Sequence, residues 1–389
     1  MKNKSGGPKM TIIIPTRERA DVFAAALRTV TTQDYENLEI LVSDNFSGDG
    51  TEEIARGTGD PRVRYLNTGR RLSMSHNWEF ALSHVTGEWV SIVGDDDGLL
   101  PAALTDVAEL IQETGCSAIQ SATCKYRWPG NRHKDHGHIR IPMKQGYELR
   151  ESRLWISKVL HGRAGYIELP MLYTGGFVRM ALMEELKRKT GAFYKSRIPD
   201  VYSGFAIASL IPTYAYSHAP LAISGISKHS TGVDVYSKGK KSLESPSQKF
   251  AQEENIAFHP DVPLTVDGEL PPSPQALMFE SFLQTANLRD DWLVEPFDRQ
   301  LEVILASSSA DDEQLAAWAL TFAQLHGVDY APARFRSHLR RSGRKLAAMS
   351  RNFVRGGSRR KLGSSLQLLP DVYEASLAAA EVLNSRGHR

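Results

Sequence analysis

Three consecutive carboxylates are the residues of this 389-residue chain whose types and spacing best suit chemistry. Asp95, Asp96 and Asp97 follow the apolar run 89–93, which is typical of a buried strand, and residues 98–101 supply a turn and a helix start. Adjacent carboxylates repel one another, so we expect a hard divalent cation among them, Mn2+ or Mg2+. A solvated acidic turn is the alternative, and the buried strand favours the cation site.

The elements around this triplet alternate between strand and helix. Strand patterns cover 10–14, 38–42, 63–66, 89–93 and 118–122, and helical patterns cover 20–32, 47–56, 73–84 and 101–114. This alternation predicts an α/β fold with a mostly parallel sheet and helices on both faces. The carboxyl ends of the first, second and central strands then share the edge where such sheets bind ligands.

Polar residues follow the first two strands at that edge. Pro15, Thr16 and Arg17 end the first strand, and Asp44 and Asn45 end the second. A carboxylate after the second strand can accept hydrogen bonds from a ribose hydroxyl or a base N–H. The chain has neither G-x-G-x-x-G nor G-x-x-x-x-G-K-[ST], which argues against dehydrogenases and P-loop enzymes. The pattern therefore predicts a nucleotide-diphosphate site without a glycine-rich phosphate loop.

Four stretches, in order and spacing, resemble the family-two glycosyltransferases of the GT-A fold. TIIIPTRER is similar to the opening strand and Pro-Thr turn of that family. QDYENLEILVSDNFSGDGT is similar to the segment whose aspartate, here Asp44, contacts the nucleotide base. Asn77 and the pair Gly87-Glu88 stand where the family has an Asn and a Gly-Glu, and the triple aspartate resembles its D-x-D metal motif. The match runs from about residue 10 to 101, with weaker similarity to about residue 229.

The resemblance implies metal-dependent transfer of a sugar from a nucleotide-diphosphate sugar, expected to be a UDP-sugar, to an acceptor hydroxyl with inversion. The implied donor-binding residues are Pro15, Thr16, Arg17, Asp44, Asn45, Asn77, Asp95 and Asp96. The implied metal ligands are Asp95, Asp96, Asp97 and His229, with Mn2+ or Mg2+ as the ion. It also implies a GT-A-like α/β domain and, by analogy alone, surface polysaccharide or glycolipid synthesis on a glycan or lipid-linked acceptor.

The chain departs from the family pattern in two places. His76 stands where family members often have an Arg before the Asn. D-x-D read literally is Asp95 and Asp97, but alignment on Pro101 puts Gly94 at its first aspartate and Asp96 at its second. All three aspartates therefore remain candidates.

The acceptor side needs a general base, and Asp200 in RIPDVYSGF is the expected one, because the family tends to carry an acidic residue before a short helix there. A helix cap is the alternative role of Asp200, and Glu184 and Glu185 are substitutes. His229 lies in the loop SGISKHSTG, whose other polar residues could contact phosphate. A surface histidine is the alternative reading of His229.

We expect three regions: a GT-A-like domain at 9–232, a linker or long surface connection at 233–275, and a helical C-terminal region at 276–389. Residues 125–150 are expected to form a polar loop, and three histidines within it, His133, His136 and His138, do not make a metal site. Residues 334–361 hold eleven Lys or Arg and no Asp or Glu.

Within this basic segment, helical spacing predicts an apolar stripe of Phe335, Leu339, Leu346, Met349 and Phe353. The flanks and opposite face carry Arg336, Arg340, Arg341, Arg344, Lys345, Arg351 and Arg355. This pattern is typical of a helix that docks on an anionic membrane surface, although the stripe could instead pack on the protein itself.

No apolar run approaches the length of a membrane span, the N-terminus lacks a secretory pattern, and only two cysteines occur. We therefore expect a cytoplasmic protein, peripheral at the inner face of the membrane, that does not bind nucleic acid. Two other functions remain open. One is a sugar nucleotidyltransferase, and the other is a non-enzymatic membrane- or nucleic-acid-binding module that uses the basic segment.

Overall fold

The computed structural model describes residues 7–130, 136–230, 253–289, 296–307, 312–354, 359–362 and 368–387. Its centre is one mixed sheet with helices on both faces, so the expected α/β fold with a helical C-terminal region is confirmed. The strands are β1 (Met10–Thr16), β2 (Leu38–Asp44), β3 (Val63–Asn67), β4 (Trp89–Ile92), β5 (Gly98–Leu99), β6 (Ala118–Arg127), β7 (His138–Pro142), β8 (Tyr147–Glu151), β9 (Gly176–Arg179), β10 (Thr213–Ile226) and β11 (Arg359–Leu362). Their main order is β11-β7-β6-β9-β4-β1-β2-β3, and β10 pairs with β5, β6 and β8.

The middle of the sheet, β3-β2-β1-β4, is parallel as the alternating pattern predicts. β10 is also parallel to β6, whereas β5, β7, β8, β9 and β11 pair antiparallel to their neighbours. β1 is buried on both faces, with Ile12 and Ile14 on one side and Ile13 on the other. Because successive side chains of a strand alternate between faces, a strand covered on both sides is a continuous apolar run.

The helices are α1 (Ala20–Thr31), α2 (Thr51–Gly57), α3 (Met74–Leu82), α4 (Ala103–Thr114), α5 (Ser152–Leu160), α6 (Met180–Thr190), α7 (Pro199–Leu210), α8 (Pro274–Leu283), α9 (Phe297–Ser307), α10 (Glu313–His326), α11 (Tyr330–Val354) and α12 (Val372–Gly387). Local chemistry explains several starts: Ser73 caps α3, Ser273 caps α8, and Pro199 occupies the first turn of α7. Within the described ranges, no helix combines the length and apolar character needed to cross a bilayer.

Two apolar layers hold the sheet. On one face, Phe23 and Leu27 of α1 and Leu104 of α4 share an apolar cluster with residues of β1, β2 and β6. On the other face, α3, α6 and α7 pack through side chains that include Trp78 and Met183. Full burial of each such side chain contributes about 1.5–3 kcal/mol. The strand ends that carry the polar residues are thereby held in one register.

The expectation that residues 125–150 form a polar loop is wrong. The segment contains β7 and β8, which join the sheet beside β6 and β10. The sequence signal that was missed is the alternation of apolar and polar residues in β7, because Ile139 and Ile141 are buried in the core. His136 lies in the turn before β7 and His138 begins that strand, with His138 Nδ1 2.8 Å from the His136 carbonyl oxygen. His133 lies outside the described residues.

The C-terminal helices pack on the rest of the chain. α8, α9 and α10 share a core with α5 and α7, in which Phe205 contacts Phe282 edge to face at 5.7 Å. α12 lies on α1, with the Arg28 guanidinium 3.9 Å from the centre of the Tyr373 ring. β11 adds a strand to a region expected to be helical. The domain boundaries at 232 and 275 stay predictions.

Candidate active site

The carboxyl ends of three parallel strands meet as the sequence predicts. Thr16, at the end of β1, pairs in register with Asp44 at the end of β2. β4 lies on the other side of β1, so Asp95 follows close to Thr16. The backbone N–H of Asn45 donates to the Thr16 carbonyl oxygen at 2.9 Å, which continues the ladder past the strands.

The polar residues after β2 are already engaged within the protein. Asp44 is buried and accepts a hydrogen bond from the Tyr65 hydroxyl at 2.6 Å. Burial, together with this carboxylate, raises the pKa of Tyr65 to about 12. The Asn45 amide is hydrogen-bonded to Leu72, and Asn77 Oδ1 accepts from a serine hydroxyl of β2. These contacts fix the loops around the expected nucleotide site, and the nucleotide contacts themselves stay predictions.

Arg17, expected at the donor, forms an ion pair with Glu253 at 2.9 Å. Its side chain is 8% exposed, and burial lowers the pKa of its guanidinium. Glu253 belongs to a segment that returns to the strand edge, where His76 Nδ1 lies 3.1 Å from the Glu254 carbonyl oxygen. Arg17 is therefore paired with a carboxylate of the protein, Glu253, at the place where an anionic ligand is expected.

Asp95 is neutralised by an arginine that the sequence analysis did not single out. Arg19 Nη1 donates to Asp95 Oδ1 at 2.8 Å, and Arg19 Nη2 donates to the His229 carbonyl oxygen at 2.7 Å. Burial disfavours the charged guanidinium, but Asp95 and Asp96 outweigh it and raise the pKa of Arg19. For Asp95, burial outweighs the arginine and raises the pKa of the carboxyl.

Asp96 is held by the loop after β10. The hydroxyls of Ser227 and Ser230 donate to Asp96 Oδ2 at 2.6 and 2.7 Å, and the Ser227 N–H donates at 3.3 Å. Among the described residues, every hydrogen bond to this carboxylate falls on Oδ2. The Asp96 carbonyl oxygen accepts from Trp128 Nε1 at 2.8 Å. Oδ1 is thus the carboxylate oxygen of Asp96 that remains for a ligand.

Both oxygens of Asp97 are used inside the protein. Oδ1 accepts from the Gly225 N–H at 2.7 Å, and Oδ2 accepts from the Thr174 hydroxyl. The Tyr173 hydroxyl lies close by, since it and Asp97 Oδ2 both border Gly94. Burial, followed by the neighbouring Asp96 carboxylate, raises the pKa of Asp97 to about 7.

The carboxylate triplet fits a divalent cation by charge. Three buried carboxylates, Asp95, Asp96 and Asp97, share one close guanidinium, so the cluster lacks positive charge. Asp96 offers an oxygen ligand, the type that Mn2+ and Mg2+ prefer. Across the described ranges, however, no group of three or more His, Cys, Asp or Glu side chains is arranged as a ready-made ion site. A bound ion would therefore need other ligands, such as phosphate oxygens or water.

His229 lies beside the cluster, but its ring is turned to another partner. Its Nε2 is 3.0 Å from Asp21 Oδ1, and Lys228 Nζ is 3.0 Å from Asp21 Oδ2. Asp21 thus fastens this loop to the start of α1. Metal ligation by His229 would require the ring to leave Asp21, and it stays a prediction.

Asp200 lies in the first turn of α7, as expected. Its carboxylate interacts with the backbone N–H groups of Asp200 and Val201 and with the Tyr166 side chain. Burial raises the pKa of this carboxyl, although part of its surface stays accessible. The alternatives Glu184 and Glu185 lie on α6, where Glu184 is exposed and Glu185 pairs with Lys189 at 3.9 Å. The helix-terminal contacts and the catalytic role are compatible, so the structure leaves Asp200 as the candidate.

The residues that sequence reasoning missed come from distant segments. Arg19, Tyr173 and Thr174 complete the surroundings of the aspartates. Arg19 had a signal, since it lies three residues after the end of β1. Tyr173 and Thr174 precede the tight turn at Gly175, and nothing in their own neighbourhood ties them to the triplet.

Comparisons with known proteins show which family part of this chain resembles. Residues 11–175 match the family model described as Glycosyl transferase family 2. A Campylobacter jejuni protein named GalNAc(5)-diNAcBac-PP-undecaprenol beta-1,3-glucosyltransferase is 33% identical over 109 residues, which cover 27% of this chain and 35% of that relative. The abequosyltransferase RfbV of Salmonella typhimurium is 28% identical over 135 residues, which cover 31% of this chain and 40% of that relative. The chain thus spans less than half the length of these curated relatives.

Among solved structures, S. aureus TarS 1–349 in complex with UDP-GlcNAc is 14% identical, with a TM-score of 0.49 and coverage of 86% of this chain and 92% of that one. The family model covers β1 through the turn before β9 and includes the aspartate triplet. The predicted family resemblance is therefore confirmed over residues 11–175, which match the model of glycosyltransferase family 2.

Proposed function

We propose that this protein transfers a sugar from a nucleotide-diphosphate sugar to an acceptor hydroxyl, with inversion at the anomeric carbon. The observation that carries the proposal is the aspartate triplet at the carboxyl edge of a family 2 sheet, beside Thr16 and Asp44. Such an edge is where α/β sheets bind ligands. A UDP-sugar is our expected donor.

The donor side is supported by charge. Arg17 and Arg19 lie just after β1, and both are already held by carboxylates, Glu253 and Asp95. A diphosphate that enters this edge would compete with Glu253 for Arg17, since both are oxyanions that a guanidinium binds in the same way. Asp44 would accept a hydrogen bond from the ribose or the base in place of the one that it accepts from the Tyr65 hydroxyl.

We propose Mn2+ or Mg2+ as the cofactor, with Asp96 as the first ligand to consider and Asp95 beside it. Such an ion, once bound, offsets the charge that develops on the departing diphosphate. The serine loop keeps Asp96 Oδ2 fixed, so that Oδ1 has a defined direction. Asp97 is the least available of the three, because both of its oxygens accept hydrogen bonds from the protein.

We propose Asp200 as the general base. As the acceptor oxygen forms its bond to the anomeric carbon, the bond from that carbon to the diphosphate oxygen breaks, and the acceptor proton passes to the Asp200 carboxylate. Burial raises the pKa of Asp200, which makes it a better proton acceptor than an exposed carboxylate. Its partial exposure leaves room for the acceptor.

The setting we propose is surface polysaccharide or glycolipid synthesis, at the cytoplasmic face of a membrane. The support is that the Campylobacter relative is named for a polyprenol-linked substrate. In α11 of this chain, Phe335 and Leu339 are 65% and 60% exposed, as an apolar docking stripe requires. We propose that this stripe inserts into the lipid surface next to a lipid-linked acceptor.

Three arginines of α11 were expected to face a membrane, but they contact the protein itself. Arg336 and Arg340 form ion pairs with Glu302 at 3.2 and 2.7 Å, and Arg341 donates to the Leu305 carbonyl oxygen at 2.6 Å. These three arginines fasten α11 to α9 rather than standing ready for lipid phosphates. The side chains of Leu346, Met349, Phe353, Arg344, Lys345 and Arg351, and all of Arg355, lie outside the described residues. Membrane binding through the described part should thus depend more on apolar insertion than on anionic lipid.

The proposal is tested by incubating the purified protein with a panel of nucleotide sugars and Mn2+, and by following nucleoside diphosphate release and thermal stabilisation. One donor should be hydrolysed slowly without acceptor, and excess EDTA should abolish this. If none of the nucleotide sugars is hydrolysed, the proposed function is contradicted. A full rate of hydrolysis in excess EDTA would contradict the proposed metal dependence. Release of pyrophosphate from a nucleoside triphosphate and a sugar 1-phosphate would instead establish the nucleotidyltransferase alternative.

A further inference from the structure

One tyrosine lies against the aspartate triplet. Tyr173 places its hydroxyl close to Asp97, since its Oη and Asp97 Oδ2 both border Gly94. Its ring stacks on Trp78, with the centroids 5.3 Å apart and the planes at 19°. The ring is therefore fixed from one side while the hydroxyl lies among the carboxylates.

The stacking partner is itself immobilised. Trp78 lies on α3, is 4% exposed, and contacts Tyr194 edge to face at 5.9 Å. Aromatic pairs of this geometry attract each other beyond the effect of their burial. Tyr194 in turn contacts Tyr202 of α7, the helix whose first turn carries Asp200, with the ring centroids 6.4 Å apart. A continuous aromatic wall thus runs from the aspartate triplet towards the proposed base.

Gly94 makes room for the Tyr173 hydroxyl. A β-carbon at position 94 would lie 2.6 Å from Tyr173 Oη and 2.8 Å from Asp97 Oδ2, closer than real β-carbons approach. Alignment of the family motif on Pro101 puts an aspartate at this position. In this chain, the Tyr173 phenol, nearly 80 residues further along, fills the space that an aspartate side chain would take at this position.

We propose that Tyr173 is a positioning residue for sugar transfer, which fixes the place of Asp97. Trp78 holds the ring, the glycine at position 94 admits the hydroxyl, and the hydroxyl packs beside the carboxylate. Asp97 then braces Gly225 and the serine loop that holds Asp96. The inference rests on the proposed function, because it assigns Tyr173 a role in that reaction.

Tyr173→Phe tests this role, because it removes the hydroxyl and keeps the stacked ring. Loss of the polar group beside the Asp97 carboxylate should lower kcat by about 10- to 100-fold, while the donor KM should stay within about threefold. The Kd for Mn2+ alone, measured by titration calorimetry without nucleotide sugar, should rise several-fold as the carboxylates lose their fixed arrangement. The matched control is Tyr35→Phe, which removes a phenol hydrogen bond to the Pro8 carbonyl oxygen at the opposite end of β1. A kcat within about twofold of wild type together with an unchanged Mn2+ Kd would overturn the proposal.

A wild type that transfers no sugar and binds no Mn2+ would contradict the proposed function alone. A second measurement then still tests the position of the Tyr173 hydroxyl beside Gly94. Gly94→Ala should lower the melting temperature strongly in the wild type. It should do so less in the Tyr173→Phe background, because the 2.6 Å contact is gone and only the contacts with Asp97 remain. An equal loss in both backgrounds would show that the hydroxyl does not fill the space beside Gly94, and would overturn the inference.

Discussion

Asp97→Asn removes one buried charge at almost constant shape. The Gly225 N–H is a fixed donor, so the asparagine oxygen should take the place of Oδ1. The Thr174 hydroxyl, which donates to Oδ2, can rotate and accept a hydrogen bond from the new amide group. We therefore expect the variant to fold with the same contacts.

The magnitude follows from the pKa of Asp97, which burial and the Asp96 charge raise from 3.8 to about 7. A carboxyl with a raised folded-state pKa binds more protons folded than unfolded, so stability falls as the pH rises from about 4 through 7. The shift of about 3 units corresponds to at most about 4 kcal/mol at 1.36 kcal/mol per unit. Asparagine cannot ionise and escapes this loss. The unfolding free energy of Asp97→Asn relative to wild type should thus rise by up to about 4 kcal/mol between pH 4 and pH 8.

Urea unfolding in EDTA between pH 4 and pH 8 measures this difference. Asp267→Asn, at an exposed loop position, is the control and should follow the wild type throughout. A difference between Asp97→Asn and wild type that does not change with pH would refute the reasoning. Transfer activity should fall in the same variant, because the braced carboxylate is part of the proposed site; stability and activity would then change in opposite directions.

Other substitutions have equally definite outcomes. Asp200→Asn should lower kcat by about 100-fold or more while the donor KM stays near wild type, and near-normal turnover would reassign the base. Gly225→Ala should cost about 1–3 kcal/mol of unfolding free energy in a thermal or urea melt, because its β-carbon would lie 1.8 Å from the Asp96 carbonyl oxygen; an unchanged melt would show that the two segments separate easily. Phe335→Ser with Leu339→Ser should reduce co-sedimentation with liposomes at unchanged melting temperature, and no binding of the wild type to neutral or anionic vesicles would exclude docking.

The part of the fold that sequence could predict is the part made by local patterns. β1, β2 and β4 are apolar runs that end in polar residues, and their parallel register follows from the helices between them. β7 was missed because its alternation covers only five residues within a polar segment. Short half-buried strands of this kind depend on the neighbour that they pair with.

From the sequence, the location of the candidate site could be predicted, but the hydrogen-bond partners of each aspartate could not. The triplet marks the strand edge, but the different surroundings of Asp95, Asp96 and Asp97 are set by residues far along the chain. Ser227 reaches Asp96 across 131 positions, and Thr174 reaches Asp97 across 77. Local propensity holds no information about such pairings, because only the tertiary fold brings them together.

The packing of α12 against α1 has a consequence for how the chain is made. Val22 and Ala26 share an apolar cluster with Val372 and Ala375, which a ribosome adds long after α1 itself. Until then, the outer surface of α1 is uncovered and open to chaperones or to premature association. Shortening the gene after about codon 330 would leave that surface bare for good, and the product would report misfolding rather than the role of α11.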